Sequence, residues 1–134
     1  MKVFSKNITL KTKGEIDIVD LTWEVRKILR DSGIKDGILT VFNVGSTAAI
    51  TTIEYDPPLL EDFKDVIERI VGRDVSYRHP GNAHSHCRAS LLGPSVAIPF
   101  RDGELLLGTW QQIVLVEFDT RPRVRNVVVQ IVGD

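Results

Sequence analysis

Stretches built like strands outnumber helical ones along this chain and crowd its second half, and that ordering limits its folds more than any other feature. From Lys2 to Lys13, Val3, Ser5, Asn7 and Thr9 alternate with Phe4, Lys6, Ile8 and Leu10, the period of a half-buried strand. Ile38 to Phe42 is β-branched and aromatic, and Gly45 to Asp56 is again rich in β-formers. Ser95 to Phe100 and Glu104 to Thr109 flank Arg101-Asp102-Gly103, the signature of a hairpin, and Trp110 to Phe118 and Val124 to Val132 complete the strands. Gln111 to Glu117 is apolar on both faces in its middle, which predicts a strand covered on both sides.

Two stretches read as helices. Asp20 to Gly33 carries an acidic cap candidate, Leu21, Val25, Ile28 and Leu29 at helical spacing, and a terminal glycine. Leu59 to Gly72, after the Pro57-Pro58 break, places Leu60, Phe63, Ile67 and Val71 on one face. The order β, α, β, β, α, then strands lacks the regular alternation of doubly wound folds. It predicts an α+β fold, predominantly an antiparallel β-sandwich with two flanking helices.

The 134 residues suit one domain spanning 1–134, and 43% hydrophobic residues can build its core. A formal net charge of -1 excludes nucleic-acid or membrane binding by bulk charge. Cys87 stands alone, so there is no disulfide framework; with no apolar run approaching the roughly 20 residues of a membrane span, a cytoplasmic location is expected.

Chemistry-bearing residues concentrate in 73–94, expected as a loop ending in a short turn or helix near Ser90. All three histidines, His79, His84 and His86, lie there. In an extended segment His84 and His86 point the same way and His79 can return through Pro80-Gly81, making an open three-imidazole site for zinc or a similar ion; the alternative is a polar surface loop whose histidines cap turns. Cys87 reads as a small packed residue. Glu54 and Glu117 close largely apolar strand faces, where a carboxylate serves as a general base, orients a metal-bound histidine or emerges into water. Gln111 is an amide in an otherwise core-like run, able to hold a substrate or a loop. Arg88, Ser90, Gly93 and Ser95 surround a turn that can cradle a phosphate or simply be capped. Arg121-Pro122-Arg123-Val124-Arg125 reads as basic decoration of a hairpin or as a subunit contact.

Gly45 to Glu54, His84-Ser85-His86 followed by Ser90 to Gly93, and Gly108-Thr109-Trp110-Gln111 before a strand ending in Glu117 together resemble the YjbQ-like proteins, also labelled secondary thiamine-phosphate synthases. The resemblance covers essentially the whole chain. It implies a small β-rich sandwich with flanking helices, assembled as a homotrimer with sites near subunit boundaries. It also implies an enzyme that joins a pyrimidine diphosphate to a thiazole phosphate with release of pyrophosphate. His79 and His86 match the family's recurrent histidines, and Glu54, Ser90 and Gln111 match its polar site positions. Gly45 stands where many members carry a histidine, so His84 is expected to supply the third imidazole. On this reading His79, His84 and His86 hold zinc, Glu54 acts as base or orienter, Gln111 positions substrate, and Arg88 with Ser90 faces the phosphate of a small phosphorylated molecule. The rival is a non-catalytic trimeric protein that binds a metal or phosphoryl ligand.

Overall fold

Eight strands and three helices account for the regular structure of this computed structural model, which describes residues 1–134. The strands are β1 (Lys2–Lys11), β2 (Ile18–Asp20), β3 (Gly37–Asn43), β4 (Ala48–Ile53), β5 (Ser95–Arg101), β6 (Glu104–Leu105), β7 (Gln112–Glu117) and β8 (Val124–Gly133). The helices are α1 (Thr22–Ser32), α2 (Pro57–Ile70) and α3 (Ala83–Leu92). All pairing is antiparallel, in a five-stranded sheet of order β1-β8-β3-β5-β6 and a three-stranded sheet of order β2-β7-β4. The α+β sandwich read from the sequence is therefore the fold, with a third helix added.

Strand alternation distributes the core. Leu39, Val41, Val127, Val129 and Ile131 of the large sheet meet Ile50, Ile113 and Leu115 of the small one, and α1 adds Val25, Ile28 and Leu29. The intervening residues of β7, Val114 and Val116, face the other way and pack with Ala49, Phe118, Ile67 of α2 and Ala89 of α3. The small sheet is thus sandwiched between the large sheet and two helices, which is why β7 reads as apolar on both faces.

Local chemistry sets the boundaries. Asp20 accepts from the Thr22 N–H (2.9 Å) and hydroxyl (2.6 Å), while Gly33 ends α1 in the left-handed region at φ 71°. Asp56 caps α2 through the Leu59 N–H at 3.2 Å, with Pro57 in the first turn. The β5–β6 turn holds Asp102 and Gly103 at φ 53° and 77°, both positive as a tight hairpin turn requires.

The segment expected as a loop is the main departure. Its helix begins already at Ala83 and takes in both His84 and His86. The signal escapes hydrophobic periodicity because the buried face of α3 is mostly polar, carrying His84, Ser85 and Arg88 beside Ala83 and Ala89. No helix of the structure is long and apolar enough to cross a membrane.

Candidate functional site

Beyond β7, the chain turns through Asp119 to Arg123 and returns as β8, and acids alternate with arginines across the hairpin. Glu117 and Arg125 are both buried and form an ion pair; Glu117 also accepts from Arg125 Nε (2.8 Å), the Thr12 hydroxyl (2.7 Å) and the Asp119 N–H (3.0 Å). Arg125 Nη2 donates to the Thr47 hydroxyl at 2.8 Å, which donates to Asp119 at 3.2 Å. Asp119 accepts further from the Thr120 N–H and Arg123 Nη1, each at 2.7 Å. Burial alone would raise the Asp119 pKa, but the Thr120 N–H, the Thr47 hydroxyl and the charges of Arg123 and Arg125 together hold it below the ordinary carboxylate value.

This network opens into a cleft of about 390 Å³ lined by Arg73, Gly81, Asn82, Asp119, Thr120, Arg121 and Arg123, without an apolar side chain. Three arginines and one already paired carboxylate, Asp119, line it. The N-terminal end of α3 borders the same space, and Asn82 makes no side-chain cap there; its amide oxygen meets His79 Nε2 at 3.1 Å. The helix dipole adds to the positive potential. Arg73 is held from behind, its Nη1 donating to Glu15 at 2.6 Å while the other Glu15 oxygen meets His84 Nε2 at 2.9 Å. Its backbone N–H donates to Glu68 at 3.0 Å. That bond, opposed by partial burial and aided by Arg88, lowers the Glu68 pKa.

The residues singled out by sequence do not assemble as expected. Because 83–92 is helical rather than extended, the two-residue step from His84 to His86 turns the side chains about 200° apart. His84 is buried against Glu15, whereas His86 stacks edge-to-face on His79 with ring centroids 5.3 Å apart. The three imidazoles do not converge, and no group of three His, Cys, Asp or Glu side chains is placed to hold a metal ion. The donor set within one protomer therefore does not fit the expected zinc centre.

Arg88, expected to face phosphate, is 1% exposed and spends its donors on Glu68 and the Val71 carbonyl, tying α3 to the end of α2. Cys87, expected to be packed, is exposed. Ser90 is exposed on α3 and shares a shallow hollow with His86, Cys87 and Leu91. Glu54 is exposed just past β4. Gln111 bonds Thr52 (3.1 Å) and the Gly108 N–H (3.0 Å), holding the turn before β7. Since Ala48 pairs with Glu117 and Ile53 with Gln112, Glu54 and Gln111 lie at the opposite end of the ladder from the cleft, about 17 Å along it at the usual strand rise.

Sequence reasoning passes over Arg73 and Asp119 and reads Arg121 and Arg123 as hairpin decoration or a subunit contact, not as the lining of a cleft. A signal existed: arginines at 121, 123 and 125 alternate, as do the acids at 117 and 119, so a hairpin can bring them onto one side. Nothing marked Glu15, which reaches His84 across 69 positions of sequence.

The family model described as "UPF0047 protein YjbQ-like" matches residues 6–134. A UPF0047 protein of Methanothermobacter thermautotrophicus is 40% identical, covering 99% of this chain and 94% of its own length. YugU of Bacillus subtilis is 30% identical over 96% of this chain and 98% of its own. Among solved structures, a YbjQ-like protein of unknown function from Sulfolobus solfataricus P2 superposes with a TM-score of 0.96 at 38% identity over 99% of both chains. A protein from Aeropyrum pernix K1 follows at 0.92 and 33%, covering 98% of this chain and 99% of its own. With sequence and fold matched over nearly its whole length, the chain belongs to the YjbQ-like UPF0047 family.

Proposed function

We propose that the protein binds a small phosphorylated molecule in the arginine cleft and acts as a transferase of the secondary thiamine-phosphate synthase type. In this reading the cleft holds the diphosphate of a pyrimidine substrate and stabilises the charge on pyrophosphate as it leaves, while the pyrimidine is joined to a thiazole phosphate. The observation that carries it is the lining itself: three arginines, of which Arg73 and Arg123 are also paired with carboxylates, around about 390 Å³ of space with no apolar side chain. Such donors act most strongly where charge develops in a partly dry site, and a guanidinium fork matches phosphate oxygens two at a time.

The remaining parts of the reading need a neighbour. Glu54 and Gln111 lie at the other end of the small sheet from the cleft, so a role for them at this site requires a second subunit of the proposed homotrimer to bring them in. Zinc would find two neighbouring imidazoles in one protomer, His79, whose Nε2 meets Asn82, and His86, and would require further donors across the same boundary. A second reading, binding without turnover, is favoured by Asp119: the one carboxylate in the cleft is paired and held ionised, which leaves it poorly suited to accept a proton near neutrality.

Calorimetric titration with pyrophosphate is expected to show one site per chain, with Arg73→Ala and Arg121→Ala each weakening it by about tenfold. No binding at millimolar pyrophosphate would overturn the assignment of the cleft. Binding without thiamine phosphate formation from the two substrates would leave the binding-protein reading standing and remove the synthase. A zinc content below about a tenth of an equivalent in protein purified without an affinity tag would remove the metal.

A further inference from the structure

A second cavity, of about 270 Å³, lies between the C-terminal half of α1 and the β5–β6 turn and shares no residue with the arginine cleft. Beneath it lie Leu29, Ile34 and Leu105 of the main core cluster, of which Leu105 is the most exposed. Its walls carry opposite charges. Arg26, Arg30 and Lys35 come from α1 and the loop after it, and Asp102 and Glu104 from the hairpin. Although they line one small space, none of these five side chains forms an ion pair anywhere in the molecule.

The walls are tied together, so the arrangement does not depend on loose loops. The Asp102 N–H donates to the Asp36 carboxylate at 3.0 Å and the Gly103 N–H to the Lys35 carbonyl at 2.9 Å. The Lys35 and Asp36 N–H groups in turn donate to the Asp134 carbonyl at 3.0 and 3.2 Å. With its backbone fixed and unpaired cations and anions on opposite walls, the space suits a ligand that carries both charges and a hydrocarbon tail.

We propose that this cavity binds a small zwitterion of the free α-amino-acid class with an apolar side chain. The carboxylate sits on the Arg26, Arg30 and Lys35 side, where a guanidinium can grip both oxygens. The ammonium sits on the Asp102 and Glu104 side, and the tail lies inward, over Leu105. The volume lies just below the roughly 300–1,000 Å³ typical of sites for drug-sized ligands, which suits an amino acid better than a nucleotide. The site stands or falls independently of the arginine cleft.

Calorimetry or NMR titration of the full chain with L-leucine tests it, with L-leucinamide (no carboxylate) and 4-methylpentanoate (no ammonium) as matched probes. Leucine is expected to saturate with a Kd of about 1 mM or tighter and each truncated probe to bind at least about tenfold more weakly. The double variant D102N/E104Q should weaken leucine and leucinamide and leave 4-methylpentanoate unchanged. The triple variant R26Q/R30Q/K35Q should weaken leucine and 4-methylpentanoate and leave leucinamide unchanged. All five side chains are at exposed positions, so unaltered thermal unfolding in both variants will show that the fold persists. Absence of saturation by leucine at about 50 mM, far above that Kd, would overturn the proposal, as would equal affinity for all three probes. Loss of leucine binding in R121A/R123A would overturn the claim of a separate site.

Discussion

At the scale of single residues, the decisive feature is a charged pair placed where charges are rare. Glu117 and Arg125 are almost wholly removed from water, and their desolvation is offset by the pair itself and by further bonds from Thr12 and the Asp119 N–H to Glu117 and from Arg125 to Thr47. Removing one partner strands the other, so Arg125→Met is expected to cost about 3–5 kcal/mol in urea unfolding. Asp119 adds a pH dependence whose sign follows from its lowered pKa. Its contribution is complete above the ordinary aspartate value and is lost as pH falls through the lower folded value. Stability should therefore decline below about pH 4, and Asp119→Asn should flatten that decline in acid unfolding followed by circular dichroism.

At the scale of elements, α3 explains why the chemistry was only half legible. A helix usually declares itself by an apolar stripe, but this one buries His84 and Arg88 against polar partners on the β1–β2 loop and α2, and Ser85 with its hydroxyl unpartnered. Arg88→Ala would leave the Val71 carbonyl and Glu68 without their donor, and thermal and urea unfolding should register about 1.5–3 kcal/mol, the range for a hydrogen bond to a charged group. The α2 cap escapes the sequence reading, which takes Pro57-Pro58 for a break before a helix from Leu59, whereas both prolines lie in the first turn behind Asp56; Asp56→Ala should cost about 1 kcal/mol in the same measurement. Asp36-Gly37 reads locally as a turn into β3, but nothing local tells that Gly37 must also meet Gly133 closely. They face each other across β3 and β8, and a Cβ on Gly133 would lie 1.9 Å from the Asp36 carbonyl oxygen, so Gly133→Ala should destabilise by about 1–3 kcal/mol or more.

At the scale of the whole molecule, the large sheet turns one face to the core and leaves Val3, Ile38, Phe42 and Val124 exposed on the other. The proposed trimer would give that face something to cover it. Light scattering is then expected to report three times the 15.0 kDa chain mass, and Phe42→Asp should shift it toward a single chain. The sequence by itself determined the α+β class, the long strands, two of the helices and the double cover of β7. Those follow from periodicity, cap residues and turn glycines, which act between near neighbours in the chain. Only the tertiary structure decided the site. It put His84 against Glu15, withdrew Arg88 into a helix–helix tie, parted Glu54 and Gln111 from the cleft, and gathered Arg73 with Arg121 and Arg123. The physical reason is that a binding site depends on the directions of side chains brought together from distant segments, and those directions follow from packing and from the pairing of buried polar groups.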